Sequence, residues 1–139
     1  MSDELIGLWR LVSAKREYED GEVSEIYGGK PRGYLLLAPG GRMMAILTAT
    51  DRSSTDNEAG LYREMMAYSG RYRVEGNRWI TDVDVSWHPD WLGTGQMREF
   101  RLDGDELHIR TQGQPHPANP GRIGRGILLW RREDSLSGA

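Results

Sequence analysis

Along the chain, apolar and polar residues alternate with a period of two, in short runs cut by glycine-bearing turns. The first run spans residues 7–20 and stops at Asp20-Gly21, a strong hairpin signal. Gly33–Ala38 breaks at Pro39-Gly40-Gly41, and Arg42–Thr48 follows at once. Tyr68–Val74 turns at Glu75-Gly76-Asn77 into Arg78–Trp87, and Gln96–Leu102 turns at Asp103-Gly104-Asp105 into Glu106–Thr111. Gly126–Arg132 is the last run. Eight strands joined by tight turns are antiparallel neighbours. An up-and-down antiparallel sheet of eight strands leaves two open edges unless it closes, and a closed barrel of that size encloses room for one small ligand. The predicted fold class is therefore all-β, an eight-stranded up-and-down barrel.

Two stretches depart from the period. Thr55–Tyr68 has helical spacing, with Thr55 and Glu58 placed as a capping box and Leu61 and Met65 on one face. It predicts one short helix between the third and fourth strands, either crossing a barrel opening or plugging the core. Residues 112–125 hold three prolines and three glycines and read as a long loop.

With 139 residues, the pattern forms a single domain over 1–134, with a small polar tail at 135–139 expected to fray. Glycine is abundant at 18 residues, and five Trp and six Tyr stand against one Phe, so the aromatic mass carries polar tips. No apolar run reaches the length of a membrane span, and the acidic Met1-Ser2-Asp3-Glu4 start does not read as a signal peptide, so a cytoplasmic location and no membrane partner are expected. A net charge of −3 argues against nucleic-acid binding. The absence of cysteine removes thiolate nucleophiles and cysteine metal sites. No histidine pair has ligand spacing and no carboxylate cluster completes one, so neither a metal nor a cofactor is expected.

Gly7-Leu8-Trp9 on the first strand and Trp130-Arg131-Arg132 on the last resemble the lipocalin, or calycin, arrangement. That resemblance implies that Gly7, Trp9 and Arg132 seal one barrel end, the guanidinium stacking on the indole. Five blocks in order extend it: Leu5–Ser13, Pro31–Leu35 with Pro39–Met43, Tyr68–Tyr72, Pro89–Arg98 and Leu128–Arg132. These are similar to the bacterial and fungal lipocalin-like domain family, which implies a small stand-alone barrel and no particular activity. The resemblance implies His on the fifth strand in many relatives, where this chain has Thr81-Asp82, which weakens any carry-over of a His-based site.

Strand parity assigns faces. Trp9, Leu11 and Ser13 point inward by this rule, as do Tyr68, Gly70, Tyr72 and Val74; Gln96, Arg98, Phe100 and Leu102; Leu107, Ile109 and Thr111; and Leu128, Trp130 and Arg132. The fifth strand is ambiguous. Either Val83 and Val85 face in and Asp82 and Asp84 face water, or an aspartate lies inside and pairs with Arg98.

Arg98 at an inward position is either a structural ion pair, an end seal, or an anchor for a carboxylate, enolate or carbonyl oxygen. Tyr34, Met43, Met65, Tyr72, Gln96, Arg98, Phe100 and Trp130 are the candidate ligand wall, around a small apolar or aromatic molecule. That reading requires an interior pocket of about 300 Å3. The alternative is a cofactor-independent isomerase, cyclase or dehydratase, with Arg98 stabilising an oxyanion, Asp82 or Asp84 as base, and Tyr72 or His88 as acid. His108 and His116 read as surface residues. Outward-facing Trp79 and Trp87 would make an interaction patch or a homodimer face.

Overall fold

Tight turns and alternating strands close into a barrel in the computed structural model, which describes residues 2–50, 52–53, 56–116 and 119–135. The strands are β1 (Gly7–Tyr18), β2 (Val23–Glu25), β3 (Arg32–Leu37), β4 (Arg42–Thr48), β5 (Met65–Glu75), β6 (Arg78–Ser86), β7 (Gly95–Asp103), β8 (Glu106–Thr111), β9 (Gln114–His116) and β10 (Asn119–Asp134). The single helix, α1 (Glu58–Arg63), lies between β4 and β5, and short 3-10 turns cover Ser2–Leu5, Tyr27–Gly29 and Pro89–Trp91. Every pairing is antiparallel; β1 meets β10 from Leu8 opposite Asp134 to Tyr18 opposite Gly124, which joins the edges. Eight strands form the wall. The three-residue β2 and β9 are additions on β1 and β10.

One end is solid. Trp9, Leu5, Leu37, Met43 and Leu107 are fully buried there. The Trp9 indole donates to the Leu5 carbonyl at 2.9 Å. Arg132 lies 4.2 Å above the Trp9 ring and donates to the carbonyls of Ile6 at 3.0 Å and Glu4 at 2.6 Å. A guanidinium can stack on an indole and still use its edge donors, so one side chain ties the N-terminal turn to the last strand. Gly7 is required at this seal: a Cβ there would stand 2.7 Å from both Arg132 Nη1 and the Asp134 carbonyl.

Several expectations are corrected. The helix is six residues long rather than running to Tyr68, because Met65 already pairs with Thr48 and opens β5. Its cap is Asn57, whose side chain accepts from the amides of Ala59 and Gly60; the expected cap at Thr55 lies outside the described residues. Residues 112–125 are not all loop, because β1 pairs with β10 back to Gly124 and the short β9 pairs with it from Gly124 to Asn119. The expected fraying at 135–139 concerns residues that, beyond Ser135, also lie outside those described.

Two β-bulges change the inward parity. Leu11 faces Trp130 and Ser13 faces Leu129, so Val12 is an extra residue in β1. Beyond it the inward set becomes Ala14 and Arg16, and Ser13 turns outward. In β6, Val83 faces Gly70 and Val85 faces Ser69, which leaves Asp84 as the extra residue. Val83 is therefore buried while Val85 is 64% exposed. Gly70 fits this bulge because a Cβ would collide with the Asp82 carbonyl.

Candidate functional site

The end opposite the seal holds a cavity. Its floor is Trp79 and Trp130; its walls are Leu35, Ala45, Leu47, Ile109 and Leu128; its rim is Ile26, Tyr27, Met66, Trp91, Thr111, Gly124 and Gly126. Arg16, Tyr68 and Arg98 supply charge and hydroxyl groups to the same lining. The space between these side chains is about 650 Å3 with its open mouth included, and about 50 Å3 of that is wide enough for the centre of a water molecule. Side chains therefore fill most of this end and leave a tight slot, short of the pocket of about 300 Å3 that the ligand-binding expectation required.

Arg98 projects into this slot from β7, opposite Trp79 of β6, and is only 5% exposed. It donates to the Met97 carbonyl at 3.1 Å and to the Tyr68 hydroxyl at 3.2 Å. Its guanidinium carbon lies 5.8 Å from the centres of both the Tyr68 and Trp91 rings, and those rings meet edge-to-face at 5.1 Å. Among the described residues no carboxylate pairs with it. Arg16, turned inward by the Val12 bulge, makes no hydrogen bond or ion pair with any described residue. Burial lowers its pKa, and the Arg98 charge lowers it further against the opposing pull of Tyr27 and Tyr18. Burial also pushes the Tyr27 phenol up to about 12, against the pull of Arg16 and Arg98. Tyr27 sits at φ 58°, a left-handed conformation that a bulky residue adopts only when its surroundings hold it. The indole N–H groups of Trp79 and Trp130 are buried and donate to nothing among the described residues.

The expected ligand wall is only partly brought together. Arg98 and Trp130 line the cavity. Met43 and Tyr72 belong to the packed half, with the Tyr72 hydroxyl 3.5 Å from the Ala38 carbonyl. Gln96 is buried and donates to Thr94 Oγ1 at 3.0 Å, away from the lining. Phe100 packs on Trp79 with ring centres 5.7 Å apart and borders an outer side groove with Ser13 and His108. Met65 is off parity, and Met66 lines the slot in its place. Tyr34 is 45% exposed on the outer face beside Met44, Ile46, Val85 and Trp87. Trp79 faces inward and so belongs to no outer patch.

The expected acid–base groups are also apart. Asp82 and Asp84 face outward, where Asp84 pairs with Arg42 at 2.8 Å and Asp82 with Arg73 at 3.5 Å. Neither pairs with Arg98, which meets no carboxylate among the described residues and donates to Met97 and Tyr68 instead. His88 caps the Pro89–Trp91 turn, its Nδ1 accepting from the Asp90 amide, and packs on Tyr62 and Trp87 rather than on the slot. His108 stands beside Glu106 at 3.3 Å, and the hairpin turn brings Asp103, Glu106 and His108 within 4.8 Å of one another, a grouping the sequence spacing did not reveal. The side chain of His116 lies outside those described. Arg16, Tyr27, Met66 and Trp91 were missed as site residues. Extending the Tyr68 parity by one step finds Met66, but no sequence signal marks the bulge that aims Arg16.

The chain is 36% identical over 95 residues to the 4'-hydroxy-3'-methoxypropiophenone carrier protein of Aspergillus oryzae, an overlap of 61% of this chain and 83% of that relative. The crystal structure of an uncharacterized protein from Bacteroides eggerthii aligns at a TM-score of 0.46 and 11% identity, covering 91% of this chain and 98% of the other. Among the described residues no helix is long and apolar enough to cross a membrane. The model of the lipocalin-like domain matches residues 6–133, nearly the whole barrel, and the chain belongs to that family.

Proposed function

We propose that this barrel binds a small, planar aromatic molecule bearing oxygen substituents and carries it in the slot above Trp79 and Trp130. The observation that carries this reading is Arg98, a buried guanidinium without a carboxylate in an otherwise aromatic and aliphatic slot. An apolar pocket with a few placed polar groups is the usual form of a small-molecule site. The rings of Tyr68, Trp79, Trp91 and Trp130 in the lining suit an aromatic ligand. Tyr27 and Met66 at the rim are the side chains that move aside to admit it. A relative named as a carrier of a hydroxylated aryl ketone supports the same ligand class. Catalysis would need a base, and among the described residues of the lining there is no carboxylate or histidine.

The test is a tryptophan-fluorescence titration with 4'-hydroxy-3'-methoxypropiophenone, the compound in the relative's name. Saturable quenching at one ligand per chain is expected, abolished by Leu128→Trp, which fills the slot. A linear, non-saturating response in the unmodified protein would contradict the reading.

A further inference from the structure

We propose that the cavity takes its ligand as an oxyanion, an acidic phenol, enol or carboxylic acid bound as its conjugate base by Arg16 and Arg98. This rests on the reading of the slot as a ligand site and names the charge state that the site selects.

The slot is rich in donors. Arg98 spends two of its five guanidinium N–H groups on the Met97 carbonyl and the Tyr68 hydroxyl, and Arg16 spends none on a described residue. Trp79 and Trp130 each add a buried N–H with no acceptor among the described residues. The side-chain oxygens in the lining are hydroxyls: Tyr68 accepts from Arg98, and Thr111 accepts from the Gly126 amide at 2.7 Å. Among the described residues of the lining there is no carboxylate. A buried charge without a counter-ion is costly, and two such charges in one slot repel each other. A ligand oxyanion removes both costs and forms charge-assisted hydrogen bonds, about twice as strong as neutral ones. A neutral ether or hydrocarbon of the same shape removes neither. When an acid binds below its own pKa, its O–H bond breaks, the electron pair stays on oxygen and the proton passes to solvent.

The groups facing the ligand are Arg16 from β1, Tyr27 from the turn after β2, Tyr68 from β5, Arg98 from β7 and Thr111 from β8. No carboxylate or imidazole is among these described groups. Burial moves Tyr27 still further from the near-neutral range. His88 is on the adjoining turn but not in the lining. A pH dependence of binding between about pH 5 and 8 therefore reports the ligand's ionisation, and the spectrum of the bound ligand reads it directly.

The experiment uses 4-nitrophenol, whose two protonation states differ in colour, and 4-nitroanisole, its methyl ether, which cannot ionise. Protein added at a pH where free nitrophenol is mostly protonated should raise the phenolate band, the bound pKa falling by about one unit or more, which is a tenfold preference for the anion. Arg98→Met and Arg16→Met should each remove most of that shift and leave nitroanisole affinity within about threefold. Should Arg98→Met not fold, Arg16→Met and the spectrum in the unmodified protein still decide. Equal affinity for both probes with the bound nitrophenol neutral would overturn the oxyanion proposal and leave the aromatic-binding reading standing. If neither probe bound, both would fall.

Discussion

Tyr27 concentrates much of the chemistry of the mouth in one side chain. It holds a left-handed backbone conformation, lies on the cavity rim beside two guanidiniums, and has a phenol pushed up to about 12 by burial. A raised phenol pKa means that the folded state prefers the protonated form. The associated stability is fully present below about pH 10, where the unfolded phenol titrates, and is lost as pH rises through the folded value. At about 1.4 kcal/mol per unit, roughly 3 kcal/mol is lost between those limits. Tyr27→Phe should flatten this part of the alkaline stability profile, measured by urea unfolding at several pH values. A profile as steep as that of the unmodified protein would show that the loss comes from elsewhere. The two arginines differ in how openly the sequence displays them. Arg98 sits at inward parity between Gln96 and Phe100, so alternation alone exposes it. Arg16 reads as a surface residue because Trp9 and Leu11 fix the opposite parity two turns of the pleat earlier.

At the scale of elements, the Val12 bulge decides which residues of β1 meet the ligand. Removing Val12 restores a continuous ladder and exchanges the two faces beyond it. Lys15, now exposed and 4.0 Å from Glu25, would enter the barrel, and Arg16 would leave it. Deletion of Val12 should therefore cost about 3 kcal/mol or more and abolish ligand quenching. Val12→Ala, which keeps the extra residue, should stay within about 1 kcal/mol because the side chain is exposed. Equal stability of the deletion and the parent would mean that the bulge does not set the face. Hairpins were legible because Asp-Gly and Gly-Asn turns announce themselves locally. Bulges were not, because an inserted residue shows only against its partner strand. The same holds for Met65: helical spacing carried the reading past Arg63, whereas pairing with Thr48 makes it strand.

The whole molecule is a shell closed by a seal and hollow at the other end, and the seal was the most readable part of the chain. Gly7, Trp9 and Arg132 are far apart in sequence, and their roles came from the resemblance of blocks at both termini to lipocalins. Arg132→Ala removes a stacked guanidinium and two charge-assisted bonds to carbonyls. It should cost roughly 2–4 kcal/mol in chemical denaturation while leaving ligand affinity in the folded protein unchanged. A cost under about 0.5 kcal/mol would mean that closure by strands suffices without the stack. The hollow was readable only as an expectation of eight-strand closure. How narrow the slot is, and that it lies above Trp79 rather than against Met43, depends on side-chain packing that alternation does not encode.

The five tryptophans provide a direct test of where the ligand sits. Their indole N–H resonances can be followed individually in a nitrogen–proton correlation spectrum, assigned by substitution, while 4'-hydroxy-3'-methoxypropiophenone is added. Trp79 and Trp130 form the slot floor and have unpaired N–H groups, so their signals should move to saturation together. Trp9, bonded to the Leu5 carbonyl within the seal, should stay fixed. Movement confined to Trp87 on the outer face, with Trp79 and Trp130 unchanged, would contradict the account.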